Sequence, residues 1–501
     1  MIRVQLYVPP GGYFAERWAK GSSMPPLGLL SIAAVLENEG FAVEVVPADV
    51  LEMTWKDIRR KIEADRPDIV GVTITTENRF QSFRLIRLAK KAHPAGLTVL
   101  GGPHASMAAE DCLEHIPELD AVVRGEGEWT MLDICRARER ERSSAALAEI
   151  PGLVLRSTDG IRRGPPRPPI ADLDRLPFPA FHLVPFEKYN FRFPVPGLGP
   201  LLAVSIMTSR GCPFACNFCA TPVNWGRHVR MRSPENVVAE IESLKRRYGA
   251  RVVFFYDDTF NASPKRAEAI ADLMIERKLD VYFKCDVRID AMSRELLEKM
   301  KRAGLFHLSF GLEAGSERVR NEIVGKKIEI DDFHNLVRWC GELGVVPNVF
   351  FIFSHPTETW SEASETIKII ERYGDRIESS IAILHVYPGT PLEKLARETG
   401  VLPRNFSWTK RYFSKIITLP LAQGDVPLYV DRLKWSQVCE LVLRWSIASV
   451  RSSALKKAPR ALKLIRSPGD LKRNLVMGGV YIRLKAGRLF HKGRPRASLE
   501  S

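Results

Sequence analysis

Short apolar runs alternate with longer amphipathic stretches at a near-constant interval, in two separate blocks of this 501-residue chain. In the first block Ile2–Val8, Ala42–Pro47, Ile69–Thr75, Thr98–Gly101 and Ala121–Arg124 read as strands. Leu27–Glu39, Thr54–Ala64, Arg79–Ala92 and Ala105–His115 read as the helices between them. Most of these strands are apolar on both faces, as parallel strands covered on both sides are. Residues 1–140 are therefore expected to form an α/β domain with a doubly wound, Rossmann-like parallel sheet. Residues 141–199 are dense in proline (165, 166, 168, 169, 177, 179, 194 and 196), which predicts a linker without regular elements, held down in part by Leu173, Leu176 and Phe178. Alternation resumes over residues 200–400. Ala203–Thr208, Val252–Tyr256, Tyr282–Val287, His307–Phe310, Asn348–Phe353 and Ser380–Val386 are strand candidates, with Pro234–Tyr248, Ser263–Arg277, Ser293–Ala303 and Trp360–Tyr373 among the helices. Six such units predict a partial (β/α)6 barrel of TIM type, with its chemistry at the strands' C-terminal ends. Residues 401–501 read as a small helical region, Asp431–Val450, followed by a basic tail.

No stretch approaches the ~18 consecutive apolar residues of a spanning helix. The N-terminus lacks the basic and long apolar segments of a signal peptide, so a cytoplasmic protein is expected. From Arg451 onward 14 Lys or Arg face only Asp470 and Glu500, leaving the rest of the chain near neutral. Such a tail suits an anionic partner, and equally a solvated end that aids solubility. Of eight cysteines, five are scattered singly and three crowd into eight residues. That is not the spread of a disulfide framework, and it calls for a metal.

The cluster is Thr208-Ser-Arg-Gly-Cys212-Pro-Phe-Ala-Cys216-Asn-Phe-Cys219, spaced C-x3-C-x2-C just after a strand. Three thiolates on one loop can hold three irons of a [4Fe-4S] cube and leave the fourth open to a chelating ligand. Zinc prefers four ligands in a closed site, and neither His228 nor any second CxxC pair supplies them convincingly. Structural cysteines are the bland alternative, set against three thiols on a Gly-Pro loop.

This loop resembles the signature of the radical SAM superfamily, and the resemblance extends over residues 200–400. It implies that Cys212, Cys216 and Cys219 ligate the cluster, whose open iron takes the amino and carboxylate groups of S-adenosylmethionine. Phe218 matches the aromatic position near adenine. By the same resemblance Asp257 and Asp258, ending the second strand, face the methionyl amine, although a helix cap is an alternative for one of them. Arg288, ending the third, would pair with the methionyl carboxylate, the alternative being a surface salt bridge. Glu313, in Phe310-Gly-Leu-Glu313-Ala-Gly-Ser316, would accept from ribose hydroxyls. One motif departs: Ser354-His355-Pro356-Thr357-Glu358-Thr359 stands where many relatives have Gly-Leu-Pro-Gly-Glu-Thr. Both glycines are missing, which puts adenine contacts there in question and leaves His355 either near substrate or structural.

A doubly wound sheet binds ligands beyond its strands' C-terminal ends. The loops there are Met24–Gly28, Thr73–Thr76, Gly101–His104 and Arg124–Glu128. No G-x-G-x-x-G follows the first strand, so a dinucleotide is disfavoured. Ahead of a radical SAM barrel these loops resemble the cobalamin-binding domain of the cobalamin-dependent class. That resemblance places Pro26, Gly28, Thr73, Thr75, Gly101, Gly102, His104 and Glu126 at the corrin, His104 capping a helix being the alternative. No histidine lies in an Asp-x-His-x-x-Gly setting, so none is expected on cobalt from that motif.

The expectation is a cobalamin-dependent radical SAM enzyme using a [4Fe-4S] cluster, S-adenosylmethionine and cobalamin to methylate an unactivated carbon. A ring-forming enzyme of lipid or tetrapyrrole biosynthesis that transfers no methyl is the second reading. An RNA-modifying or nucleic-acid-binding protein is the third, disfavoured because no RNA-binding module is recognised. Expected partners are a small-molecule or lipid substrate, a reductant protein such as flavodoxin or ferredoxin, and an anionic membrane surface. The partly amphipathic tail Ala454–Phe490 would bring the protein to the inner face of that membrane. Substrate-facing residues are expected after residue 400.

Overall fold

Strands apolar on both faces need cover on both sides, and the first sheet has it. The structure, a computed structural model, describes residues 2–11, 24–140, 145–157, 160–189, 191–412 and 426–464. Strands β1 (Arg3–Val8), β2 (Ala42–Pro47), β3 (Ile69–Thr73), β4 (Leu97–Gly101) and β5 (Ala121–Val123) pair in parallel in the order β2-β1-β3-β4-β5. Neighbouring side chains divide between two cores. Val4, Leu6, Val99 and Val123 pack with helix Leu27–Asn38, while Tyr7, Val72 and Leu100 pack with helix Arg79–Ala92. The helix expected over 105–115 is two short ones, Pro103–Met107 and Ala109–His115, because Ala108 leaves the helical conformation at φ −132°.

The proline-rich segment corrects the sequence expectation. Strands β6 (Leu153–Ser157), antiparallel to β5, and β7 (Gly160–Arg163), antiparallel to β6, extend the front sheet. Strand β8 (Arg192–Val195) pairs antiparallel with β9 (Gly199–Ile206). The prolines at 165–169 follow β7, and Pro194 sits on an edge strand, where a missing N–H is tolerated.

Strand β10 (Ser209–Arg210) pairs antiparallel with β11 (Arg230–Met231) to close a loop. The parallel run continues as β12 (Val252–Phe255), β13 (Tyr282–Val287), β14 (Leu305–Glu313), β15 (Val346–Phe353) and β16 (Glu378–Ile383). With β9 these make six parallel strands in the order β16-β15-β14-β13-β12-β9, an open half-barrel edged by β8. Ser233, Ser263 and Ser293 cap three successive barrel helices, accepting from the backbone N–H three residues on. In β15 burial alternates: Val349, Phe351 and Phe353 pack into the helical layer, and the residues between them line the half-exposed concave face.

One apolar core joins the two domains. Phe181 of the proline-rich segment lies 6.1 Å from the Tyr248 ring, and Phe186 stacks on that ring at 4.2 Å. The C-terminal segment also reaches the front sheet, where Arg79 Nε donates to Trp408 O at 3.0 Å. Helix Trp435–Leu464 ends the described chain, and most of the tail, residues 465–501, lies outside the described residues. No helix among the described residues is long and apolar enough to cross a membrane.

Candidate functional site

The cysteine loop leaves β9 under the control of one carboxylate. Asp257, 2% exposed at the end of β12, accepts from Thr208 N at 2.6 Å, from Ser209 N at 3.1 Å and from Thr208 Oγ1. Gly211 follows at φ +100°, where a Cβ would lie 2.5 Å from His228 O, so the loop's two stems touch at a position only glycine fits. Asn217 anchors the middle, its N–H donating to Val324 O at 3.2 Å and its Nδ2 to Ile323 O at 2.7 Å. Cys219 N donates to Cys216 O at 3.1 Å, and Cys212 Sγ lies 3.6 Å from Thr259 Oγ1.

All three thiols are half-buried. Burial pushes those of Cys216 and Cys219 up, while the cations of Lys326 and Arg288 oppose this at Cys216. Among the described residues no three His, Cys, Asp or Glu side chains converge on a single ion. Three thiols carried on one loop suit a cube, in which each takes a different iron.

Around the loop, Arg288 lies over the Phe214 ring at 3.8 Å and donates to both oxygens of Asp290 at 2.8 Å. Glu313, at φ +66°, pairs with Lys326, whose ammonium also reaches Gly311 O at 2.7 Å. Phe218 faces His355 at 6.3 Å between centroids. Burial pushes the His355 pKa down to about 4, so its imidazole is neutral. Asp258 accepts from Thr221 Oγ1 at 2.8 Å and keeps an exposed carboxylate near Cys219. The departing motif retains its backbone: Ser354 (φ 72°) and Thr357 (φ 62°) adopt left-handed conformations where the relatives' glycines stand. Glu358 holds this turn by accepting from Ser354 N and His355 N.

Beside the loop a cavity of about 320 Å3 separates the front sheet's C-terminal edge from the half-barrel. Leu6, Gly71, Val99, Val123 and Met131 give it an apolar floor. Glycines 28, 101, 102, 125 and 127 form its rim, and Met207, Arg210, Trp225 and Glu240 bring in the second domain. Arg210 crosses the boundary, donating at 2.6 Å to both Glu126 and Glu128, with Arg230 on Glu126 at 2.8 Å. Glu128 also accepts from Ser31, and Arg210 lies 5.2 Å from the Trp225 ring. The Arg210 and Glu128 charges lower the Glu128 pKa and raise that of Arg210, against the burial of both.

Residues 206–370 match the radical SAM superfamily and residues 20–134 match the B12 binding domain. An uncharacterized methyltransferase of Pyrococcus horikoshii is 32% identical over 82% of this chain and 86% of its own. The chain belongs to the cobalamin-binding radical SAM family. The anaerobic magnesium-protoporphyrin IX monomethyl ester cyclase of Rubrivivax gelatinosus is 30% identical over 85% of this chain and 74% of its own. The fold is shared with the radical S-adenosylmethionine methyltransferase TsrM from Kitasatospora setae, at TM-score 0.65 and 22% identity, covering 80% of this chain and 75% of that one. As a cobalamin-binding radical SAM enzyme the chain uses a [4Fe-4S] cluster, S-adenosylmethionine and cobalamin. An apolar floor with a glycine rim fits a broad, flat macrocycle, and the thiol loop fits the cube.

Within this cobalamin-binding radical SAM fold the structure gives the residues singled out in the sequence the following surroundings. Asp257 is spent on the loop's own backbone and does not face outward. Arg288 has its fork occupied by Asp290, leaving Nη1 as the buried donor without a partner among the described residues. Glu313 is engaged by Lys326, a residue the sequence reading missed. In the front domain Gly28, Thr73, Gly101, Gly102 and Glu126 line the cavity, whereas Pro26, Thr75 and His104 do not. Pro26 O accepts from Leu30 N, and Thr75 N donates to Asn78 Oδ1. His104 is fully buried against Trp408 and bonded to Thr76 Oγ1 at 3.0 Å. Glu126 is bound by two arginines and by Ile170 N rather than free for a corrin. Arg210, two residues before Cys212, was missed, although a charge inside the motif was the available signal.

Proposed function

We propose that this enzyme methylates an unactivated carbon of a small molecule, with its cluster on Cys212, Cys216 and Cys219 and its cobalamin in the two-domain cavity. The observation that carries this reading is the Arg210 bridge, which fixes the cysteine loop directly against the cavity wall. When bound, the cluster and S-adenosylmethionine supply a deoxyadenosyl radical, and cobalamin supplies the methyl group. The chain's own part is positioning and exclusion of water. Asp257 and Gly211 set the loop's exit, Lys326 and Arg288 place positive charge beside the Cys216 thiolate, and the apolar floor keeps water from the cavity. Arg288 Nη1 is the free donor for a carboxylate, and Phe218 offers an aromatic face for adenine.

The second reading is ring formation without methyl transfer, favoured by the likeness to the Rubrivivax cyclase over most of both chains. A flavodoxin- or ferredoxin-type reductant would serve either reading. A lipid substrate, reached through the basic tail at a membrane surface, fits either reading. The test is anaerobic turnover with methyl-labelled S-adenosylmethionine. Labelled product heavier by one CH2 group supports methylation; unlabelled product lighter by hydrogens rejects it in favour of the cyclase reading.

A further inference from the structure

The B12 binding domain match ends at residue 134, but the cavity does not end with that domain. Glu240, on barrel helix Pro234–Tyr248, is 1% exposed and lines the cavity from the opposite side. It also lines a second cavity of about 220 Å3, which shares Pro177, Phe178 and Pro179 with the first, so the two adjoin at this carboxylate. One oxygen, Oε2, pairs with Arg232 Nη1 at 2.5 Å. The other, Oε1, is buried and has no hydrogen-bond partner among the described residues.

Arg232 cannot turn to serve both oxygens. Its Nε donates to Asn236 Oδ1 at 2.7 Å, Nη1 also reaches Met207 O at 3.1 Å, Nη2 reaches Asn236 O at 3.3 Å, and its plane lies 5.5 Å from the Phe178 ring. A buried carboxylate oxygen without a donor has given up its water and regained no hydrogen bond in exchange. Burial accordingly raises the Glu240 pKa, with the single Arg232 contact opposing it. A ligand that brings an N–H to this point satisfies the oxygen. Cobalamin carries such donors, since its corrin rim is ringed by primary carboxamides that project away from the macrocycle.

We propose that Glu240 is a cobalamin contact contributed by the radical domain, its Oε1 accepting an N–H from a peripheral carboxamide of the corrin. This rests on the cavity being the cobalamin seat. The cofactor site is then composite, closed by a residue roughly a hundred positions beyond the family's binding domain.

The test uses the full, cluster-reconstituted chain and two corrinoids. One is dicyanocobinamide, which keeps the side-chain amides. The other is dicyano-cobyrinic acid heptamethyl ester, whose esters accept hydrogen bonds but donate none. Equilibrium affinity is read from the shift of the corrin absorbance. The unmodified chain should prefer the amide corrinoid, and Glu240→Leu should shrink that preference by about tenfold, the worth of one hydrogen bond to a charged group. A merely structural role would weaken both corrinoids alike and leave the ratio unchanged, which overturns the proposal. If Glu240→Leu does not fold because Arg232 is stranded, the paired variant Arg232→Met with Glu240→Leu removes both charges, and the same ratio decides. If the unmodified chain binds neither corrinoid, the cobalamin seat itself is wrong. If it binds both but the ratio is indifferent to residue 240, only the Glu240 contact falls.

Discussion

The cysteine loop and the two-domain cavity beside it are built in opposite ways. The loop is one contiguous segment whose backbone is pinned by single side chains: the Asp257 carboxylate accepts from Thr208 and Ser209, and Asn217 Nδ2 donates to Ile323 O. The cavity is held by charged side chains that cross between domains, Arg210 and Arg230 against Glu126 and Glu128. A contiguous loop brings its ligands together wherever the fold places it. A cavity shared by two domains exists only when both have docked. Damage to the first should remove one cofactor locally, and damage to the second should spread to stability as well.

The largest expected effect breaks the loop alone. Cys216→Ala should abolish deoxyadenosine formation and lower iron content, while hydroxocobalamin still binds with near-normal affinity. Loss of both cofactors together would show that the two regions are not separable.

Arg210→Ala tests the seam. It leaves Glu126 and Glu128 buried with one cation fewer, a change that costs about 3–5 kcal/mol when a buried pair loses one partner. The urea midpoint should fall accordingly, and Arg210→Lys should recover only part, because an ammonium cannot fork to two carboxylates. A midpoint unchanged by Arg210→Ala would mean the seam holds nothing.

His104 gives a smaller effect that depends on pH. Burial and the Arg79 charge push its pKa down from 6.5 to about 3, so the folded protein keeps it neutral where the unfolded chain protonates it. Stability is therefore fully present above pH 6.5 and is lost as pH falls toward 3, reaching about 2 kcal/mol by pH 5. His104→Phe should flatten this acid slope in urea titrations. It should leave cobalamin affinity unchanged, since His104 faces Trp408 and not the cavity. A corrin spectrum altered by His104→Phe would return the residue to the cofactor.

The smallest effect concerns the turn that departs from the family. Ser354→Gly and Thr357→Gly should each stabilise the fold by about 1 kcal/mol, because left-handed backbone costs about that much for a residue with a Cβ. Thermal midpoints that fall instead would mean the Thr357 hydroxyl, which accepts from Arg318 Nη1 at 3.3 Å, outweighs the strain.

The fold class and the thiol loop were legible because both are local signals. Apolar periodicity placed the six parallel barrel strands and the five parallel front strands near their observed positions, and the cysteine spacing lies within eight residues. The β6–β7 hairpin was hidden by the prolines beside it, which say where a strand cannot be but not where one resumes. Four site residues were legible by type but not by partner. Asp257, Glu313 and Glu126 are charged groups at strand ends, as expected, yet each is engaged by a neighbour the sequence does not place beside it: the Thr208 backbone, Lys326 and Arg210; Arg288 pairs with Asp290 two residues on, a contact that spacing alone does not fix.

What the chain's order of residues decided alone was the parallel strands of both sheets and the loop that can grip an iron cube, since periodicity and eight-residue spacing act over short distances. What docking decided was the cavity. Leu6, Gly71, Val123, Arg210 and Glu240 become one surface only after two sheets pack, and burial then settles which charges are spent on one another and which, like Glu240 Oε1, lack a partner among the described residues.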